Sequence, residues 1–134
     1  MTLVDTNVLV DILTGQPNWR AWSVEMMDRQ STAGELLITD VVYAELSPLF
    51  ATAELLDAAI TDLDVSLRRI PPQALFMAGQ AFEQYRRKGG PRSTLLADFF
   101  IGAHAQVEGL PILTRDTRRY RSYFPDVQLV APGL

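Results

Sequence analysis

The sequence contains no cysteine, one histidine and one lysine in 134 residues. Without cysteine there are no disulfide bonds, no thiolate metal ligands and no cysteine nucleophile. The histidine, His104, follows Asp98 by six residues and lies on a different face of the helix predicted there, which favours a supporting or surface role over catalysis. A serine–histidine–aspartate triad is therefore excluded. The chain also lacks a glycine-rich phosphate loop of the usual spacings.

Long apolar runs are absent as well. The closest candidate, LLADFFIGAHAQV, is too short to span a bilayer and carries a carboxylate near its start. No basic segment precedes the apolar N-terminus, so we expect neither a signal peptide nor a membrane span. The apolar fraction of 48% is ordinary for a globular protein. We expect residues 1–134 to form one domain of a soluble, cytoplasmic protein.

The charges are divided unevenly between the two halves of the chain. The net charge is −4, but residues 1–64 hold eleven acids and two arginines, whereas residues 65–134 hold ten basic residues and five acids. Eleven of the twelve basic residues are arginine, which binds phosphate through two hydrogen bonds at once. The basic half therefore indicates a surface for a polyanion. The alternative is that these arginines solubilise helices and pair with nearby acids.

Short apolar segments alternate with amphipathic ones along the chain, which is typical of strands and helices in turn. The apolar segments lack strict alternation, so they suit a parallel sheet that is covered on both faces. We predict an α/β fold, a three-layer α/β/α sandwich with a central parallel sheet of about five strands. The predicted strands are residues 2–5, 35–40, 65–70, 111–114 and 127–130. The predicted helices are residues 8–13, 19–28, 41–49 (bent near Pro48), 54–63, 72–88 and 95–109, the last capped by Ser93 or Thr94.

Three of these helices carry apolar residues at helical spacings. These residues are Val42, Leu46 and Leu49 on one face of the third helix, Leu55, Leu56, Ala59, Ile60 and Leu63 in the amphipathic fourth, and Leu75, Ala78, Phe82 and Tyr85 in the fifth.

Two carboxylates directly follow predicted strands. In TLVDTN, Asp5 ends the first strand, and in LTRD, Asp116 follows the strand PILT. Ligands of an open parallel sheet bind beyond the carboxyl ends of the strands, where the strand order reverses. We expect these two strands to flank that point, so that Asp5 and Asp116 can meet at one site. Each has a simpler interpretation, because an Asp at a strand end commonly caps the next helix or turn.

Two further acids lie on predicted helices. Glu45 is one turn inside the third helix, where a surface glutamate is unremarkable. Asp98 points away from the bulky stripe of its helix, into a face of small residues that includes Gly102 and Ala105. Small residues let another backbone, a ligand or a metal ion come close. The alternative is an acid in the first turn, favoured by the helix dipole.

Together these positions give a cluster of oxygen donors: Asp5, Glu45, Asp98 and Asp116, with Asn7 and Thr114 nearby. Four carboxylates packed together repel one another, and that repulsion raises their pKa values. A hard divalent cation relieves it, and oxygen-only ligands select Mg²⁺ or Mn²⁺ over zinc.

Four segments resemble, in order, the motifs of the PIN-domain ribonucleases: DTNVLVD, the acid of VVYAEL, the acid of LLADFFIGAHA, and LTRDTRRY. They are most similar to the VapC-type toxins of bacterial type II toxin–antitoxin systems, and the resemblance covers nearly the whole chain. By this resemblance, the acidic residues of the family correspond to Asp5, Glu45, Asp98 and Asp116. The accompanying small polar residues correspond to Thr6, Asn7 and Thr114, while Asp11 stays outside the set.

The resemblance implies an endoribonuclease toxin that hydrolyses RNA phosphodiester bonds. One or two Mg²⁺ or Mn²⁺ ions would bind a phosphate oxygen and activate a water for in-line attack. Asp5 and Asp98 would be direct metal ligands, and Asp116 a direct or water-mediated one. Glu45 would either ligate the metal or orient the attacking water. The small polar residues would hold ligands and waters in place.

The resemblance also implies partners. Toxins similar to this one are inhibited by a VapB-type antitoxin, whose C-terminal segment covers the acidic site, and they commonly form homodimers. The acidic N-terminal half would attract a basic inhibitory segment, and residues 42–63 are a candidate binding or dimer surface. RNA phosphates would be held by the arginines around Asp116, namely Arg115, Arg118 and Arg119. A second basic group could do the same or stabilise a helix C-terminus: Arg86, Arg87, Lys88 and Arg92.

Two other functions fit part of the pattern. A response-regulator receiver or a haloacid-dehalogenase-like phosphatase also places an Asp at the end of the first strand. Both families have a lysine at the site, whereas the only lysine of this sequence is Lys88. The first motif also reads DTN rather than the usual DxD of the phosphatases. A PIN-like scaffold that binds RNA or a protein without cutting would lack an acid, and none is missing.

Overall fold

A computed structural model describes residues 1–90 and 96–133 of the chain. The predicted cap residues Ser93 and Thr94, and the basic residue Arg92, lie outside the described residues. The strands are β1 (Thr2–Val4), β2 (Leu36–Thr39), β3 (Val65–Arg68), β4 (Ile112–Leu113) and β5 (Leu129–Val130). The helices are α1 (Thr6–Thr14), α2 (Arg20–Ala33), α3 (Asp40–Leu46), α4 (Ala53–Asp62), α5 (Pro72–Arg87), α6 (Leu96–Glu108) and α7 (Arg118–Tyr123), with a 3₁₀ turn at Ser47–Leu49.

The five strands form one parallel sheet in the order β3-β2-β1-β4-β5. The order reverses between β1 and β4, because the chain first builds outward from β1 to β3 and then returns to place β4 on the other side of β1. Right-handed crossovers put α1–α4 on one face of the sheet and α5–α7 on the other. The predicted three-layer α/β/α sandwich is confirmed, and the two strands expected to flank the reversal do so.

The three central strands of the sheet are buried on both faces. Successive residues of a strand point to opposite faces, and every residue of β1, β2 and β4 is buried. Helix α6 lies deep in the second layer, and its Phe99, Ile101 and Ala103 are at most 1% exposed. Helix α5 packs on α6, and the small buried face formed by Ala74, Ala78 and Ala81 allows the two helices to approach closely. No helix within residues 1–90 and 96–133 is long and apolar enough to cross a membrane.

Local interactions set the helix ends. Helix α1 begins at Thr6, earlier than the predicted start at residue 8, because the Asp5 side chain accepts a hydrogen bond from the Thr6 N–H and caps the helix. Helix α2 continues past the predicted end at Asp28 to Ala33. Only Ser23 and Met27 of α2 are buried, so its sequence carries little apolar periodicity from which to place the end.

Three leucines of these apolar sets are exposed: Leu49 by 44%, Leu55 by 53% and Leu75 by 45%. The 3₁₀ turn carries Leu49 away from the buried face of α3. In α4 the buried residue is Leu56 alone, which turns its neighbour Leu55 outward. In α5 the small face around Ala78 packs inward, so the larger leucine is turned away.

Candidate functional site

The site lies at the carboxyl ends of β1 and β4, where the strand order reverses. The backbone N–H of Asp5 donates to the carbonyl of Leu113 at 2.9 Å, so the two strands are still paired where the polar residues begin. Asp5 then caps α1, while Thr114 and Asp116 lead from β4 towards α7. The strand-end rule therefore brings together segments that are more than one hundred residues apart in the sequence.

Asp5 is the most enclosed acid of the site, and its side chain is held by four neighbours. Its Oδ2 accepts hydrogen bonds from the hydroxyls of Thr114 and Tyr120, each at 2.8 Å, with the Asn7 amide at 3.5 Å. Its Oδ1 accepts from the backbone N–H of Thr6 at 2.7 Å. Burial raises the pKa of Asp5, and the hydrogen bonds from Thr114, Tyr120 and Thr6 partly oppose that rise. The helix cap and the site therefore use the same carboxylate.

Asn7 and Thr114 join the first motif to the last. The Asn7 side-chain amide lies 3.3 Å from the Thr114 hydroxyl, and its Oδ1 accepts from the backbone N–H of Arg115 at 3.3 Å. The Thr114 hydroxyl also accepts from the backbone N–H of Asp116 at 3.1 Å. The exposed Asp116 carboxylate accepts from the backbone N–H of Arg118 at 3.3 Å, so it also supports the start of α7, as its simpler interpretation expected.

Glu45 extends from α3 towards the same edge of the sheet. It is exposed, and its Oε1 accepts a hydrogen bond of 2.7 Å from the hydroxyl of Thr6. Since the Thr6 backbone N–H binds Asp5, one residue connects the buried acid of the site to an exposed one.

Asp98 lies in the first turn of α6, where burial and neighbouring charges shift its pKa. Burial, followed by the negative charge of Asp5, raises the pKa of Asp98 to about 7. The charges of Asp116 and Glu45 add to the rise, and the Arg119 guanidinium, 3.8 Å from the Asp98 carboxylate, opposes it. The four predicted acids are thus close enough to act on one another through their charges.

The small face around Asp98 has a different explanation from the one expected. A Cβ atom at Gly102 would overlap the ring of Phe124, so this glycine makes room for a core aromatic rather than for a ligand. Ala105 is buried as well. Asp98 is therefore set apart from the rest of its helix face, and it alone of these residues takes part in the acidic cluster.

The donor set fits a hard divalent cation in chemical type. Every candidate ligand is an oxygen. Burial, together with repulsion from the neighbouring acids, raises the pKa of Asp98, and a cation would relieve that repulsion. As the side chains stand, no three histidine or acidic residues within the part of the chain that the structure describes are grouped closely enough to hold one metal ion. Each acid instead has a partner within the protein: a hydroxyl, a backbone N–H or Arg119.

The sequence pattern of the PIN domain family matches residues 2–125, which is most of the chain. The chain belongs to the PIN-domain family. This confirms the resemblance that the four acidic motifs indicated.

Solved structures share the PIN fold of this chain over nearly its whole length. VapBC2 from Rickettsia felis, bound to a DNA fragment from their promoter, matches with a TM-score of 0.73 and 16% identity, covering 97% of both chains. DNA-bound VapBC from Salmonella typhimurium matches with a TM-score of 0.70 and 20% identity, covering 97% of this chain and 96% of that one. FitAcB from Neisseria gonorrhoeae has a TM-score of 0.64 and 23% identity, covering 96% of both chains. No curated protein sequence matches the chain significantly.

The three arginines near Asp116 in the sequence have different surroundings in this PIN domain. Arg118 is exposed, and Arg119 faces Asp98. Arg115 instead turns inward and forms a two-point ion pair with Asp11 at 2.7 and 2.8 Å.

The described basic residues at the end of α5 make contacts within the protein, as expected if they stabilise the C-terminus of the helix. Arg86 and Arg87 pair with Glu83, at 3.1 and 3.4 Å, and Lys88 lies over the ring of Tyr123. These contacts lie at the C-terminal end of α5.

Sequence reasoning missed two features of this region: the contact of Tyr120 with Asp5 and the ion pair of Asp11 with Arg115. Tyr120 is 1% exposed, and burial with the nearby charges of Asp5 and Asp98 raises its pKa well above the usual value, so its phenol remains a donor. The available signal was a tyrosine four residues after Asp116, since a buried tyrosine needs a hydrogen-bond partner. His104, which was expected in a supporting or surface role, is fully buried. Its Nε2 bonds Glu108 at 2.9 Å, and Glu108 is not one of the four acids of the site.

Proposed function

We propose that this PIN domain is a metal-dependent endoribonuclease and the toxin of a toxin–antitoxin pair. The observation that carries the proposal is the electrostatic coupling of Asp98 to the three other acids at the strand-order reversal. A cluster of mutually repelling carboxylates at the carboxyl edge of the sheet is costly to fold and suits a catalytic role. Membership of the PIN family supports a nuclease, and the similarity in fold to chains named VapBC and FitAcB supports the toxin.

Asp5, Asp98 and Asp116 would hold one or two Mg²⁺ or Mn²⁺ ions, with Glu45 as a further ligand or as the group that orients the attacking water. A bound ion of this kind polarises a phosphate oxygen and lowers the pKa of its water. The chain contributes the fixed geometry: hydrogen bonds from Thr114 and other neighbours hold the Asp5 carboxylate in one rotamer. Asn7 would hold the DTN motif against the LTRD motif through its hydrogen bonds to Thr114 and Arg115.

RNA would be held across the site by Arg118 and Arg119. Both arginines are on α7, which begins beside Asp116. Arginine contacts to phosphates position the strand and carry no sequence information. Arg119 faces Asp98, so it would also limit the repulsion between the acidic cluster and an approaching phosphodiester.

The proposed partner is a VapB-type antitoxin, and the proposed assembly includes a homodimer of the toxin. Eleven acids and two arginines in residues 1–64 would attract a basic inhibitory segment. We place the reaction in the cytoplasm of a bacterium, where the RNA substrate and the antitoxin would both be present.

The test is cleavage of a total small-RNA pool by the purified chain in Mn²⁺, in Mg²⁺ and in EDTA, with Asp98→Asn beside the wild type. Asp126→Asn is the matched control, because Asp126 is an exposed acid at the opposite end of the sheet. We expect metal-dependent cuts in the wild type and the control, and none in Asp98→Asn. RNA bound equally in EDTA and Mg²⁺ without any cutting would contradict the nuclease and favour a binding scaffold.

A further inference from the structure

Asp11 is a fully buried carboxylate that the proposed chemistry does not use. It lies on the inner side of α1 and is bonded at both oxygens. Oδ2 accepts from Nε of Arg115 at 2.7 Å and from the hydroxyl of Ser23 at 3.0 Å, and Oδ1 accepts from Nη2 of Arg115 at 2.8 Å. This fork-to-fork arrangement is the most directional ion pair that proteins form. A buried carboxylate without such a partner would strongly destabilise the fold.

Arg115 is fixed at both its side chain and its backbone. Its guanidinium lies over the ring of Trp19, 5.3 Å from the ring centre, between that ring and Asp11. Its backbone N–H donates to the side chain of Asn7 at 3.3 Å. The residue therefore ties the connection between β4 and α7 to the α1–α2 hairpin at two points.

The residues on either side of Arg115 belong to the acidic site. Thr114 donates to Asp5 at 2.8 Å, and the backbone N–H of Asp116 donates back to the Thr114 hydroxyl at 3.1 Å. Asp116 itself is exposed, and its backbone N–H bond to Thr114 links it to the buried part of the segment. The ion pair of Arg115 with Asp11 is a further contact, beside the buried hydrogen bond from Thr114 to Asp5, that fixes the segment from Thr114 to Asp116.

We propose that the Asp11–Arg115 ion pair positions the segment from Thr114 to Asp116 against Asp5, and that Arg115 is a positioning residue rather than an RNA contact. The effect on catalysis rests on the proposed function, but the effect on the segment does not. The pair joins the first and last motifs of the chain, so it explains why a second acid follows Asp5 in DTNVLVD and why an arginine precedes Asp116 in LTRD.

The experiment compares Arg115→Gln, Arg115→Lys, Asp11→Asn and the double variant Asp11→Asn/Arg115→Gln with the wild type. Three quantities are measured: amide hydrogen exchange by NMR, Mn²⁺ affinity from the free-ion EPR signal, and the salt dependence of RNA binding in an Asp98→Asn background. Arg29→Gln is the matched control, because it opens an exposed ion pair with Glu25 whose side chains are 66% and 58% exposed.

In Arg115→Gln we expect exchange of the amides of residues 115 and 116 to accelerate at least about tenfold while the amides of β2 stay protected. Mn²⁺ affinity should fall by about 10- to 100-fold, as when the hydrogen-bond partner of a metal ligand is lost. The salt slope should remain that of the parent. Asp11→Asn should show the same changes, and the double variant should show no larger ones. Arg115→Lys should lose part of the exchange protection and of the Mn²⁺ affinity, because lysine keeps the charge but cannot form two hydrogen bonds to the carboxylate.

Two results would overturn the inference. Unchanged exchange and Mn²⁺ affinity in Arg115→Gln would mean that the pair serves overall stability only. A salt slope lower by about one, with unchanged exchange, would make Arg115 a phosphate contact. If Arg115→Gln does not fold, Arg115→Lys and the neutral double variant carry the same comparison. If the variants change amide exchange and Mn²⁺ affinity as expected but the wild type cuts no RNA, the proposed function is refuted and the positioning role of the ion pair stands.

Discussion

At the scale of single residues, Asp98 shows how the fold perturbs one carboxylate. A first-turn acid on an exposed helix would be favoured by the helix dipole and would ionise readily. In this fold the helix is packed into the second layer beside three other acids, and the pKa of Asp98 rises to about 7. The dominant cause is burial, and the charge of Asp5 comes next. The site therefore keeps a carboxylate that is partly protonated at neutral pH unless a cation is bound.

The first prediction concerns stability and pH. Because the folded protein holds a proton on Asp98 more tightly than the unfolded chain does, stability in EDTA falls as the pH rises from about 4 to about 7 and stays low above that. Asp98→Asn removes this penalty, so at pH 8 it should be more stable than the wild type by on the order of 2 kcal/mol, a discounted value for a partly exposed group. Urea denaturation at pH 8 and at pH 4 measures it; the difference should shrink at the lower pH. An equal difference at both values would contradict the assignment.

The second prediction concerns the hydroxyl of Tyr120, which donates to Asp5 at 2.8 Å inside the protein. Tyr120→Phe removes a hydrogen bond to a buried carboxylate and should destabilise the fold at pH 8 by about 1.5–3 kcal/mol. The loss should decrease at low pH, where Asp5 is protonated and the donor matters less. Tyr43→Phe is the control, since Tyr43 makes the same type of bond to the exposed Asp57 at 2.7 Å and should lose less. Equal losses in the two variants, measured in urea, would count against a special role for Tyr120.

At the scale of elements, helix α6 links the acidic site to the core. It bears Asp98 at one end, packs on α5 along its length and accepts Phe124 against Gly102. Phe124 follows the end of α7, so the position of α7 beside the acids depends on the absence of a side chain at Gly102. The glycine thus acts on the site through packing rather than through chemistry.

The third prediction tests this packing. Gly102→Ala should destabilise the protein by about 1–3 kcal/mol, because its Cβ would displace the Phe124 ring from a filled core. Gly79→Ala, in α5 with open space around it, should instead stabilise the protein by about 0.5–1 kcal/mol through the higher helix propensity of alanine. Thermal unfolding of the two variants measures both effects. A loss at Gly79 equal to that at Gly102 would show that packing against Phe124 is not the cause.

The fourth prediction concerns the arginines of α7. Arg118→Gln and Arg119→Gln should each weaken RNA binding and lower the slope of log affinity against log salt by about one, as expected for the loss of one phosphate contact. Arg20→Gln, on the exposed side of α2, is the control and should leave the slope unchanged. Fluorescence anisotropy with labelled RNA, in an Asp98→Asn background, provides the measurement. An unchanged slope in both α7 variants would place the RNA elsewhere.

At the scale of the whole molecule, the acids are distributed so that the first half of the chain is strongly negative and meets a positive second half at the site. The parallel sheet brings the two halves together at the carboxyl ends of β1 and β4. An arriving polyanion would be attracted by the arginines of α7 and repelled by the surface formed from residues 1–64. The charge pattern would therefore attract a polyanion and a basic segment to different parts of the molecule.

The fifth prediction is that Mn²⁺ or Mg²⁺ stabilises the folded protein. A ligand that binds only the native state at a hundred times its dissociation constant adds about 2.7 kcal/mol, which is visible as a higher melting temperature. We expect this rise at pH 8, its reversal by EDTA, and its loss in Asp5→Asn and Asp98→Asn. The control Asp126→Asn should keep it. A rise of the same size in all variants would indicate non-specific ion binding rather than a site.

Particular residues show how far sequence reasoning reached. Asp5 and Asp116 were expected to meet because parallel strands end at a common edge, and the strand order places their segments there. The fold class followed from alternating apolar and amphipathic segments, since such segments bury both faces of a sheet. Leu49, Leu55 and Leu75 fit the apolar periodicity of their helices and are nevertheless exposed, because periodicity gives the width of an apolar face but not which part of it meets a neighbour.

The sequence by itself determined the layers of the fold, the family, and the acids that approach the reversal point, because these depend on local periodicity and on short motifs. Only the tertiary structure decided the partners of those acids. The contacts of Tyr120 with Asp5 and of Arg115 with Asp11 join residues more than one hundred positions apart. Such contacts depend on the exact direction of buried side chains after the helices have packed, and no periodicity along the chain encodes that direction.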